Sequence, residues 1–180
     1  MRIVKSDTAA VMIDMQGKLL PHMKKQPTVL ENCVKLTEGL KILDIPILVT
    51  QQYTKGLGET VDYLREAFDR FEYIEKTSFS CCDEPEFNLK LKSTGKHFVI
   101  VAGIEAHVCV LQTVIDLINF GYQPVVVENC VSSRYDEDKE SALQRLRQEG
   151  AIITTYESVL FELTQNAKAP EFKAISKLVK

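Results

Sequence analysis

Three residues in this chain carry chemistry that a packed core does not require: Asp14 in MIDMQ, Lys76 in IEKTSF and Cys109 in AGIEAHVCV. A carboxylate, an ammonium and a thiol form a set suited to nucleophilic catalysis. The thiolate is the reactive form of cysteine, and a free thiol has a pKa of about 8.5. A nearby ammonium and a helix N-terminus both favour the thiolate, so Cys109 is expected to be more acidic than a free thiol. A carboxylate can take the thiol proton and return it to a leaving group. Backbone N–H groups in the turn before a helix can hold a developing oxyanion. Each residue alone has a plainer reading. An aspartate after a strand caps a turn, a lysine is a solvated charge, and a cysteine early in a buried helix is packing.

What favours chemistry is where the three residues fall. Apolar runs of strand length are predicted at Thr8–Ile13, Ile47–Thr50, Phe71–Glu75, His97–Ala102, Val125–Glu128 and Ala151–Thr155. They alternate with segments of helical period at Val29–Leu43, Glu86–Leu91, Val108–Phe120, Lys139–Glu149 and Glu171–Lys180. Gln51–Glu59, with Gly56 and Gly58, reads as a loop. Gly121 and Gly150 stop the helices before them. Continuous β-branched runs alternating with helices imply a three-layer α/β fold: one doubly wound domain over residues 1–180, with a six-stranded, mostly parallel sheet. Such sheets bind ligands beyond the carboxyl ends of their strands, near the switch in strand order. Asp14, Lys76 and Cys109 follow predicted strands one, three and four, so all three belong to that edge.

These segments also carry a resemblance. AAVMIDMQ, EKTSFS, AGIEAHVCVLQTVIDLINFGY and VVVENCVSSR are similar to the isochorismatase-like cysteine hydrolase superfamily, which includes nicotinamidases and related amidases. QQYTKGLG, GIEAHVCV and CVSSR point to its isochorismatase-domain branch. The resemblance implies a six-stranded parallel sheet and an Asp–Lys–Cys triad at Asp14, Lys76 and Cys109. It also implies a cis peptide between Ile104 and Glu105, and an oxyanion hole from the backbone amides of Glu105 and Cys109. Metal-binding nicotinamidases carry an Asp and two His residues after the second strand. Here that stretch is Gln51-Gln52-Tyr53-Thr54, and the three histidines, at 22, 97 and 107, are dispersed. No metal and no cofactor are therefore expected. Dedicated isochorismatases often lack the nucleophilic cysteine, so its presence points to attack on a carbonyl or similar carbon.

Gln16 and Tyr53 read equally as substrate-binding pocket residues or as turn residues. Arg134, after Ser132 and Ser133, reads as a clamp for a substrate carboxylate or as half of a salt bridge. His107 raises a Cys–His alternative, but positions i and i+2 point apart on a helix, which favours a surface or interface role. Cys81-Cys82 is not a metal motif without further ligands, and Cys33 and Cys130 read as packing. Phe172, Ile175, Leu178 and Val179 form an apolar stripe that fits either a homo-oligomer contact or the chain's own domain.

The composition is that of a soluble globular protein: 180 residues, 45% hydrophobic and 26% charged, with a net charge of −3. The even spread of charge argues against nucleic acid as a partner. No apolar run reaches membrane-span length, so no membrane partner is expected. Five cysteines and an N-terminus without a signal-peptide core point to thiols in the cytoplasm. The expected activity is hydrolysis of a small amide, C–N or ester bond through a Cys109 thioester. The rivals are a catalytically idle hydrolase fold used for binding or scaffolding, and a nucleic-acid-processing enzyme.

Overall fold

A computed structural model describes all 180 residues. The strands are β1 (Thr8–Ile13), β2 (Ile47–Gln52), β3 (Ile74–Lys76), β4 (Phe98–Ile104), β5 (Gln123–Ser132) and β6 (Ile152–Thr154). They form one sheet in the order β3-β2-β1-β4-β5-β6, with every pairing parallel. The helices are α1 (Gln26–Ile42), α2 (Thr54–Leu57), α3 (Asp62–Arg65), α4 (Pro85–Ser93), α5 (Leu111–Asn119), α6 (Asp136–Glu149), α7 (Tyr156–Thr164) and α8 (Phe172–Leu178).

Side chains on a strand alternate between faces, and the sheet divides its core accordingly. Ala10, Met12, Ile100, Ala102, Val125 and Val127 pack with α1, α7 and α8. Ala9, Val11, Ile13, Val99, Val101 and Val126 pack with α4, α5 and α6. Both faces are covered, so β1 and β4 are apolar at nearly every position and show no alternation in the sequence. No helix is long and apolar enough to cross a membrane.

Several element bounds differ from the sequence expectation. β3 begins at Ile74 because the aromatics before it pack on one another: Phe68 stands edge-on to Phe71 at 5.6 Å, and Phe71 lies 6.2 Å from Tyr73. Lys76 is consequently the last residue of β3 itself. β5 runs on through Asn129 and Cys130 to Ser132, with a register shift against β4 between Val101 and Gly103. α7 was not expected. Thr155 caps it by accepting the Ser158 N–H at 3.4 Å, and Val159, Leu160 and Leu163 bury its inner face. Thr54–Leu57, inside the expected loop, closes a single helical turn. The apolar stripe of the tail turns inward: Ile175 is fully buried and Phe172 stacks 6.3 Å from Phe161, so it packs on its own domain.

The strand order reverses between β1 and β4. Their carboxyl ends border the crevice where doubly wound sheets bind ligands. Asp14 leaves the end of β1, and the chain enters a π-helical turn, Ala106–Val110, just after β4.

Candidate active site

Asp14 directly follows Ile13 and has a left-handed backbone (φ 51°), uncommon outside glycine but tolerated by aspartate. Cys109 sits in the π-turn after β4, the strand paired with β1. Lys76 lies at the end of β3, separated from β1 by β2. Neighbouring strands stand about 4.8 Å apart, so only a long side chain can cross β2. Lys76 does so and places Nζ 2.7 Å from Asp14 Oδ2, with both side chains fully buried. Cys109 is buried at 7% exposure, near enough for the Asp14 charge to act on its thiol. The three sequence-predicted residues thus meet at one point beyond the sheet.

The two carboxylate oxygens have different surroundings. Thr50 Oγ1 donates to Asp14 Oδ1 at 2.7 Å. Lys76 has three N–H donors, and they are directed at Gln52 Oε1 (2.5 Å), the Ser78 carbonyl (3.0 Å) and the Phe79 carbonyl (3.1 Å). Asp14 Oδ2, 2.7 Å from Nζ, is thus a fourth acceptor around three donors and is the one met out of line.

Burial pushes the Asp14 carboxyl above its usual range, with Lys76 opposing the shift. For Lys76, burial works against the charge, but Asp14 and the thiols of Cys109 and Cys81 outweigh it and hold the ammonium above the ordinary lysine range. Burial, and next the Asp14 charge, push the Cys109 thiol up to about 12 against the pull of Lys76. This corrects the expectation of an unusually acidic Cys109. The ammonium is present, but desolvation and the charge of the adjacent carboxylate outweigh it. A neutral thiol therefore lies near the Asp14 carboxyl group.

The Ile104–Glu105 peptide is cis. In the π-turn that follows, the N–H groups of Val108 and Val110 both donate to the Glu105 carbonyl at 3.1 Å. The Cys109 N–H between them does not, and the Glu105 N–H has no backbone acceptor. These two amides are the donors expected to hold an oxyanion.

The remaining candidates are less central. Gln16 is fully buried and its amide is committed to backbone: Nε2 donates to Gln52 O (3.0 Å) and Gly58 O (2.6 Å), while Oε1 accepts from Gln52 N (2.7 Å). It ties the end of β2 to the following loop. Tyr53 is half exposed, with a left-handed backbone (φ 38°), its ring lying over Gly56. Arg134 is exposed and donates to Glu105 Oε1 at 2.7 Å, forming a surface ion pair. With Leu19, His22, Met23 and Glu105 it lines a cavity of about 270 Å³ that adjoins the cis-peptide turn. His107 Nδ1 is 2.9 Å from Ser133 Oγ, and Nε2 is 3.8 Å from Asp138 Oδ2. No group of three His, Cys, Asp or Glu side chains is arranged to hold a metal ion.

Sequence reasoning missed Thr50, Gln52 and Cys81. The Cys81 thiol lies 3.8 Å from Thr50 Oγ1, and its N–H donates at 2.9 Å to Thr113 Oγ1, one helical turn beyond Cys109. Burial and then Asp14 push it up to about 12 as well. The available signal was polarity at the end of an otherwise apolar strand, ILVTQQ.

A sequence profile of the isochorismatase domain matches residues 8–158. The chain belongs to the isochorismatase family. Among relatives in this family, isochorismatase domain-containing protein 2 of Danio rerio is 40% identical over 179 residues, covering 99% of this chain and 89% of that protein. A structure described as MAR1 ribonuclease from Caenorhabditis elegans superposes with a TM-score of 0.94 at 39% identity, covering 99% of this chain and 92% of the other. The YcaC gene product of Escherichia coli, described as an octameric hydrolase of unknown specificity, gives 0.93 at 26% identity over 98% and 88% of the two chains. The isochorismatase-family fold accounts for the six-stranded parallel sheet with helices on both faces.

Proposed function

We propose that this isochorismatase-family protein is a cysteine hydrolase acting on a small amide, C–N or ester bond, with residues 1–180 as one catalytic domain. The observation that carries the proposal is Asp14 Oδ2: buried, 2.7 Å from a lysine ammonium, without an aligned donor, and beside the Cys109 thiol.

As the Cys109 sulfur attacks the substrate carbonyl, its proton passes to Asp14. The new C–S bond converts the carbonyl to an oxyanion, held by the N–H groups of Glu105 and Cys109. The oxyanion collapses, the C–N or C–O bond breaks, and Asp14 returns the proton to the departing amine or alcohol. Water then attacks the thioester with Asp14 again as base, releasing the acid and restoring the thiol. Lys76 stays charged throughout and keeps the carboxylate ionised in its buried position. The resting neutral thiol suits this scheme, because base and nucleophile share one proton and need no permanent charge separation.

The test is a screen of small amides and esters with the purified protein against its Cys109→Ala variant, with intact-mass detection of an acyl adduct. Turnover that persists in Cys109→Ala excludes Cys109 as the nucleophile. RNA belongs in the same screen, because one relative is described as a ribonuclease. The net charge of −3 without a basic stripe favours the small-molecule reading. Self-association is proposed from the octameric relative and is checked by sedimentation velocity at micromolar concentration. Five unpaired cysteines support work in a reducing compartment such as the cytoplasm.

A further inference from the structure

We propose that Thr50 and Gln52, on alternate positions at the end of β2, are positioning residues that decide which lone pair of Asp14 receives the Cys109 proton. The inference rests on the hydrolase reading above and goes beyond it. Both side chains come from the one strand that separates Asp14 from Lys76.

Thr50 occupies Oδ1 with a 2.7 Å hydrogen bond, which fixes the carboxylate rotation and leaves Oδ2 as the open oxygen. Gln52 acts on the other partner. Its Oε1 accepts from Lys76 Nζ at 2.5 Å, drawing off a proton that would otherwise turn to Oδ2. Gln52 is itself held by its Nε2 donating to the Thr77 carbonyl at 2.8 Å, and its backbone N–H is bound by Gln16. The amide is neutral, so it takes the hydrogen bond without competing with Asp14 for the lysine charge. A carboxylate at position 52 would compete. The titratable groups facing Asp14 are Lys76 on β3, Cys109 in the turn after β4 and Cys81 in the 3-10 turn before α4, with Glu84 acting on Lys76 from outside.

The test is the pH profile of Cys109 alkylation by iodoacetamide, read by peptide mass spectrometry, which needs no substrate. The acid limb of that profile reports Asp14. Thr50→Val removes a hydrogen bond that favours the carboxylate, so the limb moves to higher pH by about one unit, the size expected for one hydrogen bond to a charged group. Thr50→Ser restores it. Gln52→Met frees a Lys76 proton to bind Oδ2, so the limb moves to lower pH and the plateau rate falls several-fold. Opposite shifts from neighbouring positions on one strand are not expected from loosened packing. Should Thr50→Val not fold, Thr50→Ala deletes the same hydroxyl without added bulk and is compared with Gln52→Met, at a position only partly buried. Limbs that superimpose, or that move in the same direction, overturn the proposal. Failure of Cys109 to label in the unaltered protein overturns the hydrolase reading instead.

Discussion

Gly103 in β4 lies so close to Ile13 in β1 that a Cβ on Gly103 would stand 2.0 Å from the Ile13 carbonyl oxygen. The two residues are register partners across the β1–β4 pairing. Ile13 leads straight into Asp14, and Gly103 leads through Ile104 and the cis peptide to the turn bearing Cys109. The close approach therefore holds the proposed base and nucleophile against each other.

Gly103→Ala is expected to be severely destabilising. The backbone there has φ 120°, a region that side chains rarely adopt, and the new methyl group meets backbone rather than a movable side chain. The cost is about 3 kcal/mol or more, combining backbone strain with overpacking. Urea denaturation of the variant against the parent measures it. A change under about 1 kcal/mol would show that the strands separate freely here.

Activity and Cys109 labelling should both rise with pH through the raised pKa of Asp14. Below that pKa the carboxyl is protonated and cannot accept the thiol proton; above it the base is available. The midpoint should lie above the ordinary aspartate value of about 3.9. Asp14→Asn keeps the shape and removes the base, and turnover should fall by about 10²–10⁴-fold. A pH-independent rate in the parent protein would sink the general-base assignment.

Cys81 and Cys109 share a neighbourhood but should part in function. Cys109→Ala should abolish turnover while the protein still folds. Cys81→Ala removes a fully buried thiol and should cost about 1–2 kcal/mol of stability with turnover largely kept. Thermal melts beside activity assays distinguish the two. Loss of chemistry in Cys81→Ala alone would move the nucleophile to the other thiol.

Chelation is expected to leave activity intact. Gln51 and Gln52 bring amides, not carboxylates, to the end of β2, and both amides are engaged within the protein: Gln51 with Thr54 and Thr60, Gln52 with Lys76 and Thr77. Assays before and after dialysis against EDTA, with metal analysis of the fresh protein, decide this. Stoichiometric zinc or iron whose removal abolishes turnover would contradict it.

Local pattern carried much of the fold. Thr8–Ile13 was readable to the residue because a strand buried on both faces is a continuous apolar run. The positions of Asp14, Lys76 and Cys109 near strand ends followed from the same local signal. β3 was less legible, because the apolar character of Phe71 and Tyr73 is spent on an aromatic cluster. α7 was legible in principle, from a threonine cap followed by Val159, Leu160 and Leu163.

The sequence by itself determined the alternation of strands and helices, the family, and which three residues stand at the carboxyl edge of the sheet. These depend on periodicity, element length and residue type, all of which are local. Only the tertiary structure decided the burial of Cys109 beside Asp14, the hydrogen bonds of Lys76 and the partners of Thr50, Gln52 and Gln16. It also decided that Arg134 spends its charge on Glu105. Those properties depend on burial and on partners from other strands: Thr50 lies 36 residues from Asp14, and Gln52 lies 24 residues from Lys76. No spacing in the chain encodes which lysine proton points where. The packing of β2 between β1 and β3 does.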